Sequence, residues 1–216
     1  MPQQKFHLDA AKKEEVLVQW KGIWKNVTVS YNGTPLGEPF ANLAALKQGN
    51  HFALPDGRDL HVIFATGLSK NRLELTLDGR PLPGSAGDPA AEVKLAAISI
   101  WFIAGLSTLL GVLGMSGVKF LADLGFGWPS LVAGIVFAGL GYLVHTKRSQ
   151  VALAVALGLF AVDTVLMLMA GMDAGGRVPT TGLIIRVFLF IPMIRGFGAI
   201  KKANAFDAQD KAVDAF

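Results

Sequence analysis

VALAVALGLFAVDTVLMLMA, residues 151–170, is followed after a short loop by VPTTGLIIRVFLFIPMIRGFGAI, residues 178–200. Each run meets the ~20 apolar residues that a helix needs to cross ~30 Å of hydrocarbon. Each also holds a charge well inside it, Asp163 in the first and Arg186 in the second. The short loop makes the two helices antiparallel neighbours. At the standard rise per residue both charges lie roughly 12 Å in from that loop, at matching depth and with opposite sign. A charge so deep in hydrocarbon is expensive and marks a partner or a pathway. An intramembrane ion pair, Asp163 with Arg186, is therefore expected. It reads first as a pair inside the bundle that sets helix register. The other readings are a proton or ion relay, a water-filled crevice, or contact with a partner. A relay asks for more polar groups along its path. Thr164 adjoins Asp163, and Thr180 and Thr181 lie near the outer mouth, but no series of Asp, Glu or His accompanies them.

The rest of the chain divides sharply. Of its 216 residues 52% are hydrophobic and only 17% charged, a low charged fraction for a soluble protein. Residues before about Glu92 have the composition of a soluble domain, whereas Val93 to Ile200 are overwhelmingly apolar. Two further spans fall at Val93–Met115 and Trp128–Val144, so residues 92–202 form a four-span helical bundle. The stretch Gly117–Gly127, with Lys119 and Asp123, reads as a short interfacial helix or as a re-entrant segment. Small residues suggest where helices meet: Gly105 and Gly111 on the first span, Gly134, Ala138 and Gly141 on the second, Ala154 and Gly158 on the third. Trp101, inside the first span, is expected to pack against another helix, and Pro192 to kink the fourth.

Short-loop charges set orientation. His145, Lys147 and Arg148 follow the second span, and Lys201 and Lys202 follow the fourth. These basic residues, with Arg195, are expected as anchors at lipid headgroups on the cytoplasmic side. Both termini are then cytoplasmic, in a bacterial inner membrane. No apolar stretch follows Met1–Gln19, so the first span is expected to direct insertion. The absence of cysteine excludes disulfides, thiolate metal sites and a cysteine nucleophile. The net charge of +4 is juxtamembrane and does not outline a nucleic-acid surface.

From Lys5 to Pro83 the period changes to two. Val16, Val18 and Trp20 form one face of a strand; Val27, Val29 and Tyr31 another; Leu60, Val62 and Phe64 a third; Leu73, Leu75 and Leu77 a fourth. Asn32-Gly33, Asp56-Gly57 and Asp78-Gly79 supply hairpin turns. The expectation is an all-β, small antiparallel sandwich or barrel over residues 1–84. A linker at 85–91 joins it to the bundle, and a tail at 203–216 is weakly amphipathic or disordered. The closing stretch LELTLDGRPLPGS, at Leu73–Leu82 and beyond, resembles the late strand and DG turn of the Fas apoptosis inhibitory molecule β-sandwich family. The resemblance covers at most the N-terminal domain. It implies a non-catalytic interaction domain and carries over no functional residues.

Chemistry-bearing groups are scattered. His7, His51 and His61 lack metal-ligand spacing, and Ser30, Ser69 and Ser85 lack a nucleophile-elbow context. No catalytic, cofactor or metal site is expected. Trp20 continues an apolar strand face. Trp24 sits in a turn and is the preferred surface contact. These features point to a membrane-anchored interaction or adaptor protein that is not an enzyme. Its cytosolic β domain would bind a protein, peptide or lipid, and copies could self-associate through the spans. The alternative is a small transporter or channel subunit with Asp163 and Arg186 in its path.

Overall fold

Valine and leucine at every second position of a strand need one face to bury. The computed structural model describes residues 1–8, 13–67, 70–117, 126–173 and 180–213. Among these the chain divides into two units, Met1–Ala91 and Glu92–Phe216, each with its own core. The expected β domain and four apolar helices are both present.

In the first unit, β1 (Gln3–His7), β2 (Glu15–Lys21), β3 (Lys25–Tyr31) and β4 (Thr34–Pro35) form one antiparallel meander. A short helix, α1 (Leu43–Gln48), follows, capped by the Asn42 side chain, which accepts from the Ala45 N–H at 3.0 Å. The second meander is β5 (Asn50–Ala53), β6 (Asp59–Gly67), β7 (Lys70–Leu77) and β8 (Arg80–Pro81). Val16, Val18, Val27 and Val29 from one sheet and Leu60, Val62, Leu73 and Leu75 from the other share a single core. The arrangement is a sandwich of two separate sheets.

The two meanders repeat one hydrogen-bond scheme. The Asn32 N–H donates to the Glu15 carbonyl at 2.9 Å, and the Asp78 N–H to the Asp59 carbonyl at 2.8 Å. In return, the Asn32 and Asp78 side chains accept from the N–H groups of Glu15 and Asp59, both at 2.9 Å. The Leu36 N–H meets the Val29 carbonyl and the Leu82 N–H the Leu75 carbonyl, both at 2.8 Å. Both turns need positive φ at two successive residues, supplied by Asn32-Gly33 and Asp78-Gly79. The sequence carries the same echo, VTVSYNGTPL at 27–36 beside LELTLDGRPL at 73–82.

Equivalent positions in the two repeats also pair with each other. The Leu8 N–H donates to the Glu14 carbonyl, and the Leu54 N–H to the Arg58 carbonyl. Arg58 Nη2 in turn donates to Glu14 Oε2 at 2.5 Å, and Arg58 Nε to Asp56 Oδ2 at 2.6 Å. This guanidinium ties the entrance of β2 to that of β6. Its side-chain and backbone hydrogen bonds hold the Asp56 carboxyl below the usual carboxylate range. Partial burial, and then the charges of Glu14 and Asp56, push the Tyr31 hydroxyl up. The stretch expected as a linker is folded against this unit: the Ala86 N–H donates to the Leu73 carbonyl at 2.9 Å, and Ala86 is buried.

The second unit holds α2 (Pro89–Met115), α3 (Trp128–Lys147), α4 (Gln150–Asp173) and α5 (Thr180–Val213). Asp88 caps α2 by accepting from the Ala90 N–H at 2.9 Å, with Pro89 in the first turn. Lipid offers no hydrophobic drive between helices, so close backbone approach decides how they pack. A Cβ at Gly134 would collide with Thr108 Oγ1, and one at Gly141 would meet Trp101 at 2.6 Å. These two glycines seat α2 on α3, and Trp101 finds the partner helix expected for it. Ala138 lies off that face and is exposed; Phe137 and Val144 complete it. On α4 the expected small face is likewise turned outward. Ala154 and Gly158 are exposed, and Ala152, Leu153, Ala156 and Phe160 are buried instead. Gly105 is exposed too, whereas Gly111 lies against Leu131 and Gly127. α5 runs on through Pro192 and past Ile200 to Val213, where a tail was expected. Most of Gly117–Gly127, including Lys119 and Asp123, lies outside the described residues, as do Ser69 and the side chains of Thr180 and Thr181.

The Arg58 clamp makes the β unit acid-sensitive. The folded state lowers the pKa of Asp56, so the charged form stabilises the fold above the ordinary carboxylate pKa. That contribution is lost as pH falls through the folded value. Arg58→Met should flatten the decline in melting temperature between about pH 5 and about pH 2. Tryptophan fluorescence of a full chain with Trp101→Phe and Trp128→Phe, which leaves Trp20 and Trp24 as the reporters, provides the check.

Candidate functional site

A guanidinium keeps its proton at any physiological pH, so Arg186 has to be satisfied where it stands. It sits on α5 facing α4. Arg186 Nη1 donates to Asp163 Oδ2 at 2.6 Å and to Thr164 Oγ1 at 2.9 Å. Thr164 can accept because its own proton goes to the Phe160 carbonyl at 2.7 Å, one helical turn back. The guanidinium carbon lies 5.4 Å above the centre of the Phe160 ring, within cation–π range. Phe160 meets Phe190, with ring centres 4.8 Å apart. Three residues of α4 thus meet one cation, Asp163, Thr164 and Phe160, and Phe190, one turn beyond Arg186 on α5, packs on the Phe160 ring.

The two charges are unequally covered. The Arg186 side chain is 19% exposed and that of Asp163 is 60% exposed. Asp163 stands at the border between the buried face of α4 and its outer face, which carries Val155, Leu159, Val162 and Leu166. The carboxylate therefore holds the cation with Oδ2 while part of the group opens away from the helices of its own chain. This arrangement can fix helix register, and it leaves an anionic edge for water or a neighbouring polypeptide. Among the described residues no group of three metal-ligating side chains is present.

The expected headgroup anchors take several positions. Lys147, Lys201 and Lys202 are exposed, and Arg195 is half-buried. Arg148 caps α3 in the left-handed conformation and donates from Nη1 to Asp207 Oδ2 at 2.5 Å. It thereby joins the α3–α4 turn to the extension of α5. In the β unit, the expectation of an exposed Trp24 is corrected. Trp24 occupies a turn with φ 56°, but its ring stacks on Trp20 with centres 4.3 Å apart and meets Phe64 edge-on at 4.8 Å. Its neighbour Ile23 is 84% exposed.

Sequence reasoning placed Asp163 and Arg186 but assigned no part to Phe160 or Phe190. The signal was available in spacing: Phe160 lies three residues before Asp163 and Phe190 four after Arg186, so each shares a helix face with its charge. No protein family, no curated protein and no solved structure matches the chain.

The unequal cover predicts unequal mutants. Removing Asp163 strands a cation that is 19% exposed, whereas removing Arg186 leaves a carboxylate that is already 60% exposed. Asp163→Leu should cost about 2 kcal/mol, less than a fully buried pair because the carboxylate is open on one side. Arg186→Leu should cost less, and the double variant should recover most of the loss. Thermal denaturation of the four chains in detergent measures all three.

Proposed function

We propose that the chain is a membrane-anchored interaction protein. The four helices hold it in a bilayer, and the β-sandwich presents a binding surface for a protein, peptide or lipid. The observation that carries this reading is the division into two self-contained units: the β core and the helical core share no residue. The β unit has no need of the helices for burial and is free to act as a module. The resemblance of its closing strands to the Fas apoptosis inhibitory molecule family supports a non-catalytic binding role. Basic residues support the orientation. Lys147 and Arg148, and Lys201 and Lys202, follow the second and fourth spans, on the side where α2 begins, and that side is cytoplasmic by the positive-inside rule. The β unit precedes α2 and belongs to the same compartment, the cytosol of a bacterial cell.

A second reading rests on Asp163. A carboxylate 60% exposed within an apolar helix suits a water-accessible path, as in a small transporter or channel subunit. The anchoring reading assigns that open edge to a neighbouring protein or a second copy. Proteoliposomes holding the full chain separate the two. Under the anchoring reading they leak protons and monovalent ions no faster than empty vesicles, with or without Asp163→Asn. Photo-crosslinking residues at Ile23, Thr34 and Glu38 then yield discrete adducts. Flux that Asp163→Asn abolishes while the melting temperature holds overturns the anchoring reading.

A further inference from the structure

Much of the first unit follows the ordinary pattern of a sandwich, with apolar side chains inward and charges such as Arg58 and Lys5 set beside opposite ones. The turn between β2 and β3 breaks that rule twice. Its sequence, WKGIWK, occupies residues 20–25. Lys21 and Lys25 face each other in the strand register and are both exposed. Like charges directly opposite on a ladder destabilise it. Between them Ile23 projects with 84% of its surface open. The Trp20 N–H donates to the Pro2 carbonyl at 3.1 Å, which brings Met1, 71% exposed, to this end of the sheet. Neither the apolar exposure nor the charge repulsion has a return inside the domain.

The tip packs on the second sheet, and a short tether joins that sheet to α2. Trp24 of the tip meets Phe64 edge-on. Phe64 is the register partner of Leu73, and the Leu73 carbonyl accepts from Ala86. After β8 the chain folds back along β7, with Leu82 bonded at Leu75 and Ala86 at Leu73. Residues 82–88 separate β8 from the membrane-spanning helix, at most about 25 Å of chain when fully extended. That short tether keeps the β unit, and with it the tip, within chain reach of a bilayer that holds α2.

We infer that the β2–β3 tip is a lipid-docking element that rests on the surface of an anionic bilayer. This inference rests on the interaction-protein reading and names its partner as phospholipid. Lys21 and Lys25 meet headgroup phosphates, which turns their mutual repulsion into joint attraction. Ile23 enters the boundary between headgroups and acyl chains. The Trp20–Trp24 stack supplies amphipathic rings of the kind favoured at that depth and stiffens the turn behind Ile23.

The native chain has no cysteine, so a single label reports one site. The full chain is placed in nanodiscs of phosphatidylcholine alone or with phosphatidylglycerol. It carries an environment-sensitive fluorophore at Ile23→Cys or, as a control beyond the far end of β3, at Thr34→Cys. With phosphatidylglycerol present, the label at 23 shifts to the blue and is quenched by headgroup-proximal spin-labelled lipid, and the label at 34 is not. Lys21→Glu with Lys25→Glu lowers the bound-to-free ratio by about thirtyfold or more. The melting temperature of the charge-reversed chain in detergent stays that of the native chain, which shows the β unit folded. Equal quenching at both positions, or quenching indifferent to phosphatidylglycerol and to the charge reversals, overturns the lipid assignment. Shielding of the label in native membranes but not in pure lipid nanodiscs also overturns it, and leaves the interaction-protein reading standing with a protein as the partner.

Discussion

A guanidinium inside an apolar helix is the constraint on which the membrane half turns. Arg186 cannot shed its charge, and lipid offers it no hydrogen bond. The structure meets it from α4 with a carboxylate, a hydroxyl and an aromatic face. These three groups lie at Asp163, Thr164 and Phe160, within a single turn of one helix. They can serve one cation only if α4 and α5 hold a particular register and rotation. The pair thus specifies an arrangement that surrounding valines and leucines would leave degenerate, since they pack against lipid as well as against each other.

The β unit reaches specificity by repetition. The same turn, the same returning side-chain bond and the same strand register occur twice, around Asn32 and around Asp78. Two similar meanders raise the problem of telling one face-to-face alignment from another. Arg58 answers part of it, because equivalent positions carry opposite charges, Glu14 in one repeat and Arg58 in the other. The pair rewards the alignment that brings the entrances of β2 and β6 together. Function, on the readings proposed above, lies where the repetition is broken: at the WKGIWK tip in the first repeat, and at the half-open carboxylate in the membrane.

Several readings from sequence failed for a common reason. Trp24 was placed correctly in a turn, yet its ring is held by Trp20 and by Phe64, a residue from the other sheet. Ala154 and Gly158 have the right spacing for a helix contact, but α4 turns that face outward and buries Ala152 and Ala156. Glycine and alanine recur so often in these spans that small-residue spacing fits several faces at once. In water, polar residues would mark the outer face; in lipid both faces are apolar and that mark is missing. The internal repeat was legible in VTVSYNGTPL and LELTLDGRPL, because hairpin turns write their demand for positive φ into Asn-Gly and Asp-Gly.

The sequence by itself determined the number of long apolar helices, the matching positions of Asp163 and Arg186 along theirs, and the inward face of the strands it read. Those properties follow from local rules: hydrocarbon thickness sets helix length, rise per residue sets position, and the pleat sets which side chains alternate. Only the tertiary structure decided which side of each helix turns inward and that Thr164 and Phe160 complete the surroundings of Arg186. It alone set the Trp24 ring behind the Ile23 tip against Phe64 of the second sheet. These outcomes depend on contacts between residues far apart in the chain, where one geometry wins by the sum of many small packing terms that no local pattern records.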